Sequence, residues 1–279
     1  MSIRIVTDST CDLPAGLLDQ YKITAVPLYI NMGDQSYLDG VEITRREFYE
    51  RMPNYDPPPT TATPGMDTFI NTYENLAADG VSEIISIHIS ESLSATVNVA
   101  EKAALGMDKI KVTVYDAGQL SLGTGFVVLK AAQLAQEGAS VDEIMDIIQK
   151  QAQRTHVFAA LDTLEYLRRS GRMNKFMAGI GNILQIKPIL TMHKGQPGAE
   201  RVRTRGKAIK RVIQMAEELA PLETIALVHT NAPEAAQRLL QQTKGLFPTR
   251  SEPLSVDVTP VLGAHIGPGV VGFALITSE

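Results

Sequence analysis

The chain has 279 residues, of which 44% are hydrophobic, 20% charged and only 5% aromatic, with no tryptophan. This fits one large or two ordinary domains around a sizeable aliphatic core. A single cysteine, Cys11, excludes an internal disulfide, and there is no run of about eighteen apolar residues for a membrane-spanning helix.

No basic segment followed by a long apolar one opens the chain, so a cytoplasmic location is expected. The net charge of −5 is unevenly spread. Residues 168–211 carry twelve Lys and Arg against one acid, Glu200, a local +11 that leaves −16 on the rest. Such a concentration suits an anionic ligand or an acidic partner, or else a solvated helical face.

In chain order, strand-like runs alternate with helix-like ones. "IRIVTDS" (3–9) reads as a buried strand, and "TAVPLYI" (24–30) as a strand kept near an edge by Pro27. The proline-rich loop 53–65 reads as irregular. "EIISIHI" (83–89) and "IKVTVYD" (110–116) read as buried strands. Helices are predicted over 94–106, 122–138 and 141–154, the first two stopped by glycine. The second part repeats the theme. Strands are expected at 155–161, 183–190, 199–205, 224–230, 253–259 and 270–277, with helices at 163–171, 207–220 and 232–245. A turn is expected at "HKGQPG". The predicted class is α/β: residues 1–154 forming a domain with a mostly parallel sheet, and 155–279 one with a mixed sheet. The boundary is placed within about ten residues of 155.

Several stretches carry chemistry. "PPPTTATPG" sets Thr60, Thr61 and Thr63 among prolines. Thr63 before Pro64 reads as a helix N-cap, but a cap accounts for one hydroxyl, and clustered hydroxyls also donate to carboxylate or phosphate oxygens. "ISESLSATVN" crowds Ser90, Ser92, Ser94 and Thr96 at a strand-to-helix junction, where α/β folds bind ligands and helix starts favour anions. One of the four would suffice as a cap. "VTDSTCDLP" places Asp8 and Ser9 at the end of the first strand, where they can line the same crevice. Arg172 follows a glycine at a helix end. Arg201, Arg203 and Arg205 alternate as they would on one face of a strand, and guanidinium groups suit anionic oxygens.

"GAHIGPGVVG" near the end contains the G-x-G-x-x-G pattern, but a strand follows it where a dinucleotide loop needs a helix. The expectation is an accessible glycine-rich turn presenting His265. There is no phosphate-binding G-x-x-x-x-G-K-[ST] loop, H-E-x-x-H metal motif or G-x-S-x-G nucleophile elbow.

In order along the chain, "IVTDSTCDLP", "PTTATPG", "SESLSAT", "LSLGTG" (120–125), "YLRRSGRM", "RVRTR" and "GAHIGPG" resemble elements of the DegV family. Ala95 stands where the family element has glycine, and the alignment within Thr60–Thr63 is ambiguous. The resemblance implies two α/β domains with one long-chain fatty acid between them. It implies that Thr61, with Thr60 as rival, and Ser94 bind the carboxylate. His265, Arg172 and Arg201 or Arg203 are implied near the head group; Thr63, Ser92 and Ser121 complete the candidates. It further implies presentation of the acid to a separate ATP-dependent kinase for acyl-phosphate formation in phospholipid metabolism. The chain itself would not be an enzyme. No cofactor, metal or nucleic acid is expected, and transient membrane contact is compatible with that role. Apolar residues of 173–190 are candidates for the tail pocket or for ordinary core. The rival readings are a self-contained phosphoryl- or acyl-transfer enzyme and a nucleic-acid-binding regulator using the basic segment.

Overall fold

The computed structural model describes residues 2–176, 186–246 and 253–279. The first part runs β1 (Ile3–Asp8), α1 (Ala15–Gln20), β2 (Thr24–Val26), β3 (Tyr29–Met32), β4 (Gln35–Leu38), α2 (Arg45–Arg51), β5 (Thr60–Ala62), α3 (Met66–Ala78), β6 (Glu83–His88), α4 (Thr96–Leu105), β7 (Lys111–Asp116), α5 (Leu122–Gln136) and α6 (Val141–Arg154). The second part runs β8 (Thr155–Ala160), α7 (Glu165–Arg169), α8 (Met173–Phe176), β9 (Lys187–His193), β10 (Gln196–Val202), α9 (Arg205–Glu218), β11 (Leu222–His229), α10 (Pro233–Gln242), β12 (Ser255–Asp257), α11 (Pro260–Ile266) and β13 (Val271–Thr277).

Strands β2–β1–β6–β7 form a parallel sheet. Its two central strands are buried on both faces, which is why they read as unbroken aliphatic runs. β7, expected to be buried, is mostly half-exposed because it forms the sheet edge. A second, mixed sheet has the order β10–β9–β8–β13–β11–β12 and is drawn entirely from residues after Arg154. Helix α5 is buried on nearly every side because it packs between the two sheets, against β1 and β6 on one flank and β8 and β13 on the other. Helix α6 starts with a capping box in which Ser140 and Glu143 satisfy each other's backbone N–H groups.

Three sequence expectations change here. Residues 24–30 are two strands in different sheets, because Pro27, which has no N–H to donate, separates Val26 from Tyr29. The stretch 53–65 is not wholly irregular: β-branched Thr60 and Thr61 enter β5, which pairs antiparallel with β3, and the prolines only flank it. The hairpin turn is tighter than expected, Lys194 and Gly195 alone making it at φ 50° and 72°, so the strands extend to His193 and from Gln196. The start of the strand expected at 183–190 lies outside the described residues. Helices α1 and α2 and strand β4 have no counterpart among the sequence expectations.

The small antiparallel sheet β4–β3–β5 is drawn from the first part, yet it packs with Val261 and Ala264 of α11 from the far end of the chain. Three polar contacts fix that helix. Tyr49 OH donates to Val258 O at 2.9 Å, Thr259 N–H donates to Asp12 Oδ1 at 2.8 Å, and Thr259 Oγ1 donates to Asp39 Oδ2. Among the described residues no helix is long and apolar enough to cross a membrane.

Candidate functional site

The carboxyl ends of β1 and β6 face β8 and β9, and α11 lines the space between them. This leaves a cavity of about 450 Å³. Its walls are mainly aliphatic and aromatic: Leu28 and Ile89 from the first part meet Leu161, Phe176, Leu190 and Met192 from the second. Strand alternation explains the second wall, since Leu190 and Met192 point to the same sheet face as Val157. The polar groups on the wall are few: Thr61, Thr63, Ser94, Arg172, Lys175 and His265 carry the chemistry, with Thr10, Asn98, Glu91 and Thr191 beside them. An apolar cavity with a few convergent polar groups is the usual form of a small-molecule site.

Thr61 reaches the cavity from β5 and His265 from the last turn of α11. Thr61 Oγ1 and His265 Nε2 are 3.0 Å apart. His265 Nδ1 is buried without a partner among the described residues. Burial, with help from the Arg172 guanidinium, holds the imidazole down to about 4, so it is neutral at pH 7 and acts by hydrogen bonding. Ser94 sits one residue before the Ala95 cap of α4, and its hydroxyl shares a 2.9 Å bond with Thr96 Oγ1. Arg172 leaves the chain after Gly171, at φ 70°, and its guanidinium donates to Ser170 O. Lys175 donates to Ser92 O at 2.6 Å, bridging α8 to the loop after β6. Neither Arg172 nor Lys175 has an acidic partner among the described residues. The site therefore offers hydroxyls, a neutral imidazole and two cations.

The other candidates lie elsewhere. Thr60 points away, its hydroxyl reached by Asn31 Nδ2 at 3.4 Å. Ser92 shares its hydroxyl with Ser90 and lines a separate polar crevice. Ser121 is buried and donates to Asp12 Oδ2 at 2.6 Å. Arg201 and Arg203 are exposed and do not line the cavity; β10 ends at Val202 and Thr204 caps α9, so the strand alternation stops before Arg203. Arg205 is instead the first residue of that helix, bonded to Ala160 O and Gly269 O. Thr63 does line the cavity but is not the cap of α3; Gly65 is. Ser9 turns to Asp39, and Asp8 is buried behind Thr10.

His265 is on a helix rather than a turn, and it is half-buried rather than accessible. The glycines around it serve packing. A Cβ at Gly263 would strike the Tyr49 ring, and one at Gly267, held at φ 77°, would strike Tyr166. Lys175 and Thr10 are further wall residues: Lys175 lies within the basic segment, while nothing in the sequence pattern distinguishes Thr10 from Ser9. Among the described residues no group of three or more His, Cys, Asp or Glu could hold a metal ion.

The family model described as "Uncharacterised protein, DegV family" matches residues 2–278. The chain belongs to the DegV family. A DegV domain-containing protein of Streptomyces coelicolor is 37% identical over 274 residues, covering 97% of this chain and 96% of that protein. Two solved DegV structures cover both chains in full at TM-score 0.90. One, from Thermus thermophilus, is 32% identical and was determined in connection with fatty acid binding. The other, from Bacillus subtilis, is 30% identical and is described as a fatty acid binding protein.

Proposed function

We propose that this DegV protein binds one long-chain fatty acid in the cavity and presents its carboxyl group to a separate ATP-dependent kinase. The observation that carries the reading is the cavity's polarity: a mainly apolar wall that carries the Thr61 and Ser94 hydroxyls and the Arg172 guanidinium, with the His265 imidazole bonded to Thr61. The similarity to DegV proteins that bind fatty acids supports the same ligand class. If His265 donates through Nε2, the Thr61 hydroxyl is free to donate to a carboxylate oxygen, with Ser94 as second donor.

Burying about fifteen methylenes at ~0.8 kcal/mol each gives roughly 12 kcal/mol before costs. Lost translational freedom and ordering of the chain offset much of that. The tail thus supplies affinity, and the hydroxyls fix register. A head group held by hydroxyls stays exposed to chemistry at its oxygens, as a presented substrate requires. The two-domain division near residue 155, with the ligand in the seam, belongs to the same reading: β8, the first strand of the mixed sheet, begins at Thr155 and forms part of the wall. In this role the chain supplies no catalytic group of its own, and a cytoplasmic setting suits it.

Gentle purification followed by lipid extraction and mass spectrometry tests the proposal. About one long-chain acid per chain is expected; no acid, together with no uptake of added palmitic acid, would refute it. ATP turnover by the isolated chain would favour the self-contained transferase instead.

A further inference from the structure

The interior of the parallel sheet holds a Ser–His–Asp constellation outside the cavity. Asp8, Ser86, His88 and Tyr73 are all fully buried. His88 Nδ1 lies 3.0 Å from Asp8 Oδ2, His88 Nε2 lies 2.7 Å from Ser86 Oγ, and Ser86 Oγ lies 2.8 Å from Tyr73 OH. Burial by itself would raise the Asp8 carboxyl, but the bonds from His88, Thr10 and the Ile89 N–H outweigh it and hold it below the usual range. Asp8 is therefore ionised and only accepts. His88 Nδ1 donates to Asp8, its Nε2 shares a hydrogen bond with the Ser86 hydroxyl, and Ser86 shares another with Tyr73 OH.

The geometry excludes a nucleophilic role. Neither Ser86 nor His88 lines the cavity, Tyr73 covers Ser86, and the Phe69 ring packs edge-on to His88 at 5.3 Å between centroids. What this chain of bonds does reach is the cavity wall. Asp8 also accepts from Thr10 N–H at 3.0 Å and Ile89 N–H at 3.1 Å, and both residues are wall residues. A single carboxylate thus ties the loop leaving β1 to the loop leaving β6. The second loop carries Ser94, whose N–H bonds to Ser90 O at 3.1 Å, so the place where Ile89 leaves the strand governs where the Ser94 hydroxyl stands.

We propose that Asp8 and His88 are positioning residues for the head group: they fix the spacing between Thr10 and the Ser90–Ser94 loop, and through it the fit of the hydroxyl end to a carboxylate. The proposal rests on the fatty-acid reading of the cavity. Its physical basis is preorganisation, since donors held in place by buried bonds lose nothing to rearrangement when the anion arrives.

The test compares palmitic acid with hexadecanol, which shares the tail but lacks the charge, by competition against a fluorescent fatty acid analogue on the full chain. Asp8→Asn removes the acceptor charge. His88→Leu removes the ring donor in a side chain that suits the core, and carries the test if Asp8→Asn does not fold. His88→Asn restores an N–H near the Nδ1 position. Asp8→Asn and His88→Leu should lose about tenfold in affinity for the acid while hexadecanol stays within about twofold. His88→Asn should recover most of the acid affinity. Equal loss for acid and alcohol, unchanged acid binding in His88→Leu, or no recovery in His88→Asn would overturn the proposal. A wild-type chain that binds neither ligand would instead overturn the fatty-acid reading.

Discussion

Thr61 and His265 stand 204 positions apart and share a 3.0 Å hydrogen bond between Oγ1 and Nε2. The bond joins β5 of the small sheet to α11, the helix that packs on that sheet and lines the cavity. If it orients the Thr61 hydroxyl toward a carboxylate, the two side chains act as one unit.

A double-mutant cycle checks this. Thr61→Val should weaken palmitic acid binding about tenfold, and His265→Leu by less. The double variant should lose less than the two losses combined, leaving a coupling of about 0.5–1.5 kcal/mol. Strict additivity in the titrations would show that the bond does not help to hold the acid.

The neutral state of His265 has a signature in stability. Burial and Arg172 lower its folded value to about 4, from an unfolded 6.5. Between those values the unfolded state binds more protons, so this group's contribution is intact above pH 6.5 and is lost as pH falls toward 4. His265→Gln should therefore show a smaller drop in urea midpoint between pH 7 and pH 5 than wild type, by the equivalent of about 1–3 kcal/mol. An identical drop in both would mean the ring is charged or exposed in the folded protein.

Much of the fold was legible because local pattern and tertiary role agree. Val141–Arg154 reads as a helix from its periodicity and forms one with the same bounds, its Ile144 and Ile148 fully buried. The strands β1 and β6 read correctly because burial on both faces demands unbroken β-branched runs. The failures share a different cause. β5 is only three residues long and owes its existence to pairing with β3, a partner about thirty residues away that no local pattern announces. α11 reads as a glycine-rich turn because its glycines answer to Tyr49 and Tyr166, which are distant in sequence. Within the candidate site, Thr61, Ser94 and His265 were legible as residue types, but the alternation that grouped Arg201 with Arg203 and Arg205 fails where the strand gives way to the α9 cap.

Asp39 carries a pH dependence of opposite sign to that of His265. Burial raises its carboxyl to about 6, although the Ser9 and Thr259 hydroxyls and Arg45 pull it down, and Oδ1 has no partner among the described residues. A raised acid binds its proton more tightly when folded, so its contribution is full below the unfolded value near 3.8 and fades as pH rises through 6. The advantage of wild type over Asp39→Asn in thermal melts should shrink by roughly 1–3 kcal/mol between pH 4 and pH 6.5. A constant difference would place the ionised carboxylate comfortably in the core.

The helix that presents His265 depends on a glycine, and two identical substitutions separate packing from backbone effects. Gly263 lies in α11 where a Cβ would meet the Tyr49 ring, and that ring is pinned by its hydroxyl bond to Val258 O. Gly263→Ala must therefore shift α11 or break that bond, and should cost about 1–3 kcal/mol. Gly206, in the first turn of α9, faces open space where a Cβ would stand. Gly206→Ala removes unfolded-state freedom without a clash and should stabilise by about 0.5–1 kcal/mol. Because His265 is two residues from Gly263, the first variant should also bind palmitic acid more weakly, and the second should bind it as wild type does. Denaturant melts and lipid titrations on the pair decide the matter: equal stability changes of the same sign would show that the Tyr49 contact does not set the position of α11.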